Sequence, residues 1–177
     1  MSESLYFIAV VPPSKIQDEI TQLKNEVADK FGSRHALNAP AHITLHMPFR
    51  WKEAKLEVLT EMLADLNSEI EPFVISLSGF DFFEPRVLFV DVVENPKLFD
   101  LQKRVQYSCR LRLGKVNANY RDQVFHPHVT IGFRDLKKAK FYEARDFFLN
   151  RKFESEFEVN EVSLLKHDGA KWNVIET

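Results

Sequence analysis

The sequence predicts an α+β protein built from two strand-rich halves with helices outside them. Strand-like and helix-like segments alternate along the chain, but no long βαβ series occurs, which disfavours a doubly wound parallel sheet. Each half contains one strand with the same His-x-Thr phrase, and this repetition predicts internal pseudo-symmetry. With 177 residues, 45% of them hydrophobic, and 16 Phe, the chain can bury a substantial core. We therefore expect residues 1–177 to form one domain of two intertwined lobes.

The first half begins with a mostly apolar strand over 5–11, which ends at two prolines. A helix over 14–31 follows, because its apolar residues recur at helical spacing. Gln17 stands three residues after Ser14, which predicts a capping box at the start of that helix. A polar loop then leads into a strand over 42–51, which carries the first His-x-Thr phrase.

The middle of the chain predicts a helix over 53–69, with leucines and a methionine forming its apolar stripe. Two strands follow, over 73–80 and 86–93, with a turn at Glu84-Pro85 between them. Asn95 is placed to cap a third helix, 96–111, whose first residue is a proline.

The last part of the chain predicts a strand over 128–134, which carries the second His-x-Thr phrase. Asp135 is placed to cap a fourth helix, 136–149. Two or three strands finish the chain, and the last two turn at Asp168-Gly169. No low-complexity tract or linker divides the sequence into independent domains.

Composition and charge restrict the function classes. Cys109 is the single cysteine, so no internal disulfide can form and a reducing compartment is the simpler interpretation. The N-terminal apolar run is too short for a signal or a membrane span, and we expect a cytoplasmic protein. The net charge of −2 argues against a general nucleic-acid coat. The basic stretch 101–121 contains no acid, and it is either a phosphodiester-attracting surface or an ordinary solvated helix face.

The His-x-Thr phrase occurs at His42-Ile43-Thr44 and again at His128-Val129-Thr130, 86 positions later. Residues i and i+2 share one face of a β-strand, so each His points the same way as its Thr. The same parity adds His46 to the first set and Arg134 to the second. The opposite faces of both strands are apolar. One polar and one apolar face is typical of strands that line a groove.

Two imidazoles and two hydroxyls that converge are suited to proton transfer on an anion. Near neutral pH one imidazole can act as a base and the other as an acid. A Thr hydroxyl beside each can donate a hydrogen bond to a phosphoryl oxygen. Transesterification or hydrolysis of a phosphodiester needs these groups and no metal. His42 and His128 are therefore the predicted catalytic residues, with Thr44 and Thr130 as the predicted phosphate contacts.

At these residues the sequence resembles the 2H phosphoesterase superfamily, which includes 2′,5′ RNA ligase-like proteins and cyclic phosphodiesterases. Its signature is two His-x-Thr/Ser motifs, matched here by His42/Thr44 and His128/Thr130. The stretches LYFIAVVPP, PRVLFVDV and HPHVTIGF add softer similarity. The resemblance implies a bilobal fold of antiparallel sheets with the motifs facing across a central groove. It also implies metal-independent chemistry on 2′,3′-cyclic phosphates or 2′,5′ linkages of RNA or nucleotides, with RNA ends or small cyclic nucleotides as substrates and no cofactor.

Some alternatives remain open in the sequence. A non-catalytic RNA or nucleotide binder could use the same groove. A zinc hydrolase could draw its ligands from four histidines, His42, His46, His126 and His128, although neither strand motif contains a carboxylate or thiolate. His46, Arg134, Tyr120 and Phe125 are further candidates for substrate contact, the last two because they are aromatic residues in a predicted loop. A monomer is the favoured oligomeric state.

Overall fold

A computed structural model describes residues 2–116 and 124–177. In these residues the strands form two four-stranded sheets in which every pair is antiparallel. The first sheet has the order β2-β1-β7-β8, and the second has the order β5-β4-β3-β6. The α+β class and the two antiparallel sheets agree with the sequence prediction.

The strands and helices lie close to the predicted positions. The first sheet contains β1 Glu3–Val10, β2 Ile43–Lys52, β7 Ser163–His167 and β8 Trp172–Glu176. The second contains β3 Phe73–Phe83, β4 Val87–Val92, β5 His128–Gly132 and β6 Glu154–Val159. The helices are α1 Ser14–Phe31, α2 Leu56–Ser68, α3 Pro96–Ser108 and α4 Lys138–Phe148, with 3₁₀ turns at His35–Asn38 and Glu53–Lys55 and a π-helical segment at Cys109–Leu113.

Each of the two halves contributes a helix that packs on the other half. Helix α1 follows β1 of the first sheet, yet it packs against β5 and α4 of the second lobe. Helix α3 follows β4 of the second sheet, yet it packs against β2 and α2 of the first lobe. The apolar stripes of the four helices and one face of each sheet form a common core. The lobes are therefore interlocked, and each motif strand is supported by a helix of the opposite half.

Two predicted helix caps are wrong, because both side chains bond across the fold instead. Gln17 donates to the carbonyl of Ala41 at 2.8 Å and accepts from the N–H of Ala41 at 2.7 Å. The Asp135 carboxylate accepts hydrogen bonds from the Ser33 hydroxyl and from the N–H groups of Arg34 and His35. Helix α4 begins three residues after Asp135. Both side chains therefore fix the chain near the two His-x-Thr phrases.

The predicted cap of the third helix is confirmed. The side chain of Asn95 accepts hydrogen bonds from the N–H groups of Lys97 and Leu98, and Pro96 is the first residue of α3. The basic stretch that follows is partly neutralised by helix α2. Arg104 pairs with Glu69 at 2.8 Å, and Arg112 pairs with Asp65 at 2.5 Å. Those two cations pair with acids of α2 and of the residue that follows it, which favours the interpretation as a solvated helix face.

Within the described residues, none of the helices has the length and apolar character needed to cross a membrane.

Candidate active site

The two motif strands meet where the two sheets adjoin. Strand β2 is the edge of the first sheet and β5 is the edge of the second, and the two strands contact each other. We use "groove face" for the face of each sheet that is turned away from the common core. In the first sheet this face carries a small apolar cluster, Phe7, Ala9 and Leu165, which is separate from the common core.

Both histidines of the motifs lie on the groove face, each beside aromatic rings. The ring of His42 is 4.8 Å from that of Phe7. The ring of His128 is 4.9 Å from that of Phe89 and 5.1 Å from that of Phe83. Thr44 pairs with Ala9 across β1, and Thr130 pairs with Phe89 across β4. Directly paired residues of antiparallel strands share a face, so both threonines lie on the groove face with the histidines.

The strand parity predicted for His46 is wrong, because a β-bulge follows Thr44. Thr44 pairs with Ala9, but the preceding residue of β1, Ile8, pairs with His46 rather than with Leu45. The extra residue reverses the alternation of side chains beyond it. His46 is consequently 2% exposed on the core side, with its ring 5.2 Å from that of Phe49. It does not join His42 in the groove.

The second motif has the same irregularity at the same place. Thr130 pairs with Phe89, and Gly132 pairs with the preceding residue, Leu88. Gly132 therefore corresponds to His46 and also lies on the core side. A Cβ atom at Gly132 would stand 3.0 Å from Cγ1 of Val27 in α1, a close approach that explains the glycine. The bulges give the two lobes a shared backbone geometry around the motifs.

Each motif histidine is held by the same hydrogen bond. Nδ1–H of His42 donates to the Pro40 carbonyl at 2.8 Å, and Nδ1–H of His128 donates to the His126 carbonyl at 2.7 Å. A carbonyl only accepts, so Nδ1 must carry a hydrogen in both rings. The neutral form of each ring then has an unprotonated Nε2, which can take a proton. The fold thus presents two bases with a fixed tautomer.

The surroundings of His42 disfavour its protonated form. The pKa of His42 is lowered to about 4, mainly by burial and also by the charges of Lys24 and His128, against the opposing effect of the bond to Pro40. Lys24 is itself 3% exposed and donates to the Ala39 carbonyl at 2.8 Å. The charge of His128 acts on His42 because the two motif strands contact each other. His42 is therefore uncharged near pH 7.

The surroundings of His128 contain a carboxylate that His42 lacks. Burial lowers the pKa of His128 and the charge of His126 lowers it too, whereas the bond to the His126 carbonyl and the charge of Asp91 raise it. Asp91 is the cross-strand partner of His128. On the first sheet Val10 pairs with Ile43, so the residue beside His42 is Val11. Because aspartate is charged and valine is not, the protonated form is favoured more at His128 than at His42.

The two threonine hydroxyls are available for a ligand. Both residues are partly exposed, and within residues 2–116 and 124–177 neither hydroxyl has a hydrogen-bond partner. A hydroxyl beside a fixed imidazole can donate to an anionic oxygen without first breaking another bond.

The other candidate residues are not all brought to the motifs. Strand β5 ends at Gly132, so strand parity does not determine the direction of Arg134, which has a φ of 56° and extends over the ring of Phe133. The ring of Phe125 packs 5.2 Å from that of Phe99 and against the common core. Tyr120 lies outside the described residues. A substrate contact by Arg134 stays a prediction.

His126 is a groove residue that the sequence analysis considered only as a possible zinc ligand. Its ring lies 6.3 Å from that of His128 and 5.2 Å from that of Phe83. Its Nε2 is 3.3 Å from Oδ1 of Asp91. His126 stands two residues before His128, so strand parity places both side chains on the same face. Applying the i, i+2 rule one step before the motif would have predicted His126 as a groove residue.

The zinc site considered from four histidines does not form, because His46 lies on the core side of its sheet. Elsewhere in the described residues, Asp81, Asp91 and His126 each place one ligand-type atom within 4.8 Å of the others. Asp91 already accepts from the Val92 N–H and faces His126. An exposed group of this composition does not by itself indicate a cation, and we assign no metal to it.

Comparison with known proteins identifies the family of the chain. The family model of the 2′-5′ RNA ligase superfamily matches residues 12–171. The chain belongs to the 2′-5′ RNA ligase superfamily. Its members are 2H phosphoesterases, so the resemblance carried by the two His-x-Thr phrases is confirmed.

Related sequences span almost the whole chain. "Putative phosphoesterase GWCH70_0799" of Geobacillus sp. (strain WCH70) is 28% identical over 175 residues, which cover 97% of this chain and 94% of that protein. A protein of the same class from Bacillus cereus (strain G9842) is 27% identical over 173 residues, which cover 96% and 93% of the two chains.

Solved structures confirm the fold. Escherichia coli LigT complexed with 3′-AMP superposes with a TM-score of 0.70 at 20% identity and covers 99% of this chain and 97% of that one. The protein TT0787 of Thermus thermophilus superposes with a TM-score of 0.67 at 21% identity, with 97% and 95% covered. The two sheets and their order therefore belong to a LigT-like fold.

Proposed function

We propose that the chain is a metal-independent phosphoesterase that acts on 2′,3′-cyclic phosphates or 2′,5′ linkages of RNA or nucleotides. The observation that carries this proposal is the matched pair of imidazoles. Each ring donates its Nδ1–H to the carbonyl two residues before it, which leaves Nε2 to accept or donate a proton during catalysis. The names of the related phosphoesterases and the nucleotide in the LigT complex support the same class of substrate.

The different surroundings of the two histidines divide the roles between them. His42 lies near the cation of Lys24 and acts as the base. It takes a proton from water as the water oxygen bonds to phosphorus. His128 lies beside Asp91 and acts as the acid. It gives a proton to the ribose oxygen as the bond from that oxygen to phosphorus breaks, and exchange with solvent then restores both rings.

The threonines complete the site as donors to the phosphoryl oxygens that are not transferred. Negative charge on these oxygens grows as water adds to phosphorus, and a fixed hydroxyl stabilises that charge more than it stabilises the ground state. Thr44 and Thr130 stand one on each strand, so the phosphate is held from both lobes.

A turnover assay without metal tests this proposal. Pure protein treated with EDTA should convert nucleoside 2′,3′-cyclic phosphates or 2′,5′-linked dinucleotides to phosphomonoesters, followed by ³¹P NMR, and added divalent ions should not stimulate it. The physical reason is that two imidazoles supply both proton transfers, whereas a zinc hydrolase depends on a metal-bound water. Activity that disappears with EDTA and returns with zinc would reject the mechanism. Binding without turnover of any such substrate would indicate a nucleotide-binding protein instead.

The pH dependence provides a second test. We expect a bell-shaped profile of kcat/KM with its optimum on the acid side of neutrality. The rising limb follows loss of the His42 proton, since the pKa of His42 is lowered to about 4. The falling limb follows loss of the His128 proton, since burial lowers the pKa of His128 below its ordinary value of 6.5. The limbs report the coupled pair rather than isolated groups.

The profile of kcat should lie at higher pH than that of kcat/KM. A bound phosphate is negative, and a negative charge beside an imidazole favours the protonated form of the imidazole. Initial rates from acid to alkaline pH, at low and at saturating substrate, would measure both profiles. A rate that does not change across this range contradicts the assignment of the two histidines.

A further inference from the structure

The groove face of the second sheet carries an exposed aromatic ring beside His128. Phe83 is 39% exposed although it is a large hydrophobic residue. A single exposed hydrophobic residue is common on protein surfaces, but this ring is supported by three others. Its centroid is 4.5 Å from Phe89, 5.1 Å from His128 and 5.2 Å from His126. It is therefore a fixed apolar surface at the proposed site.

Two carboxylates accompany this ring on the same face. Asp81 precedes Phe83 by two residues and pairs with Phe89 across β4, so it shares their face. Its Oδ1 accepts from the Phe82 N–H at 2.8 Å. Asp91 uses Oδ1 in the same way, with the Val92 N–H at 3.0 Å. Among residues 2–116 and 124–177, the second oxygen of each carboxylate has no hydrogen-bond partner.

The charges at this place restrict what can bind there. No Lys or Arg of the described residues forms an ion pair with Asp81 or Asp91, and the side chains that face Asp91 are the imidazoles of His126 and His128. A second phosphate extending from His128 towards Phe83 would be repelled by the two carboxylates. A neutral group with an exocyclic amine would be attracted to them, whereas the two carbonyl oxygens that flank N3–H of uracil would be repelled. A flat aromatic surface with acceptors at its edge fits an amino-bearing nucleobase.

We propose that Phe83, with Asp81 and Asp91 at its edge, binds the nucleobase of the substrate, and that adenine, guanine and cytosine are preferred to uracil. The proposal rests on the proposed function, because it places the phosphate at His42 and His128 and the base one ribose ring away. The base stacks on the outer face of Phe83. Its exocyclic amine donates to a free carboxylate oxygen. The substrates are then nucleoside or oligonucleotide phosphates rather than phosphoesters without a base.

Binding measurements test this site independently of catalysis. Titration calorimetry would compare adenosine 2′-monophosphate, uridine 2′-monophosphate and glycerol 2-phosphate with the wild-type chain and its variants. Phe83→Ala should lower the affinity for each of the two nucleotides by about five- to a hundredfold, the range for loss of one stacked base. The same variant should keep the affinity for glycerol 2-phosphate within about twofold of the wild-type value, because this ligand has no base to stack. Phe83→Trp should retain nucleotide binding. Asp81→Asn should reduce the preference for adenosine over uridine.

A matched control is available in Phe147 on α4. It is exposed to a similar extent, 43%, and it packs on Phe31 at 5.8 Å, away from the motif strands. Phe147→Ala should leave all three affinities unchanged. Phe83→Ala with unchanged nucleotide affinity, or with equal loss for glycerol 2-phosphate, overturns the base site. Nucleotide binding through Phe83 without turnover would reject the proposed activity and retain the base site.

Discussion

His42→Ala and His128→Ala should each lower kcat/KM for a 2′,3′-cyclic nucleotide by about 10²- to 10⁴-fold, the usual contribution of one positioned acid or base. Each variant removes one of the two proton transfers, and water in the groove replaces it poorly. Both side chains are partly exposed and each makes one bond to a backbone carbonyl, so the fold should persist. Initial rates and thermal unfolding of both variants would measure these effects.

The double variant and a third histidine make this test specific. Because the two groups act in one cycle, His42→Ala/His128→Ala should be little worse than the worse single variant. His46→Leu changes a histidine of the same strand whose ring faces the core, and it should retain activity within about threefold because that ring does not reach the groove. Loss of the bond from His46 to the Met47 carbonyl should lower the stability of the fold instead. Full activity in either motif variant would contradict the assignment, and a large loss in His46→Leu would place that ring in the groove.

The order of elements and the motifs could be predicted because they depend on local patterns. Helix α1 has the predicted bounds, and its buried residues follow the predicted apolar stripe. The two His-x-Thr phrases indicated the edge strands that meet at the groove. These features depend on side-chain periodicity and on residue type, which the sequence displays directly.

The orientation of His46 could not be predicted in the same way. Strand parity depends on an unbroken ladder, and the bulge after Thr44 depends on how β2 pairs with β1 over several residues. A bulge has no reliable local signature in a sequence of this kind. The bulge after Thr130 is equally hidden, although the glycine at position 132 marks its core side.

The long-range bonds of polar side chains were also not predictable. Gln17 and Asp135 stand at positions that favour local capping, yet each bonds to a segment far away in the sequence. Capping rules compare a side chain only with its own helix end. The exchange of α1 and α3 between the lobes brings competing backbone groups within reach. His126 differs from these cases, because its alternation with His128 was visible in the sequence.

Thr44→Val and Thr130→Val should each lower the rate by about ten- to a hundredfold, which corresponds to one hydrogen bond to a charged oxygen. Valine keeps the branched shape that suits a strand and removes only the hydroxyl, so the pairing with Ala9 and Phe89 should survive. Since charge on the phosphoryl oxygens increases in the transition state, the loss should appear mainly in kcat rather than in KM.

Serine variants separate the hydroxyl from the rest of the side chain. Thr44→Ser and Thr130→Ser keep the donor and remove one methyl group, so we expect rates within a few fold of wild type, the difference arising from a freer χ1. Steady-state kinetics on the four variants would compare the two classes. If valine and serine reduce the rate equally, the threonines support the strands and do not contact phosphate. If the valine variants alone are impaired, with KM little changed, the hydroxyls act on the transition state from both lobes.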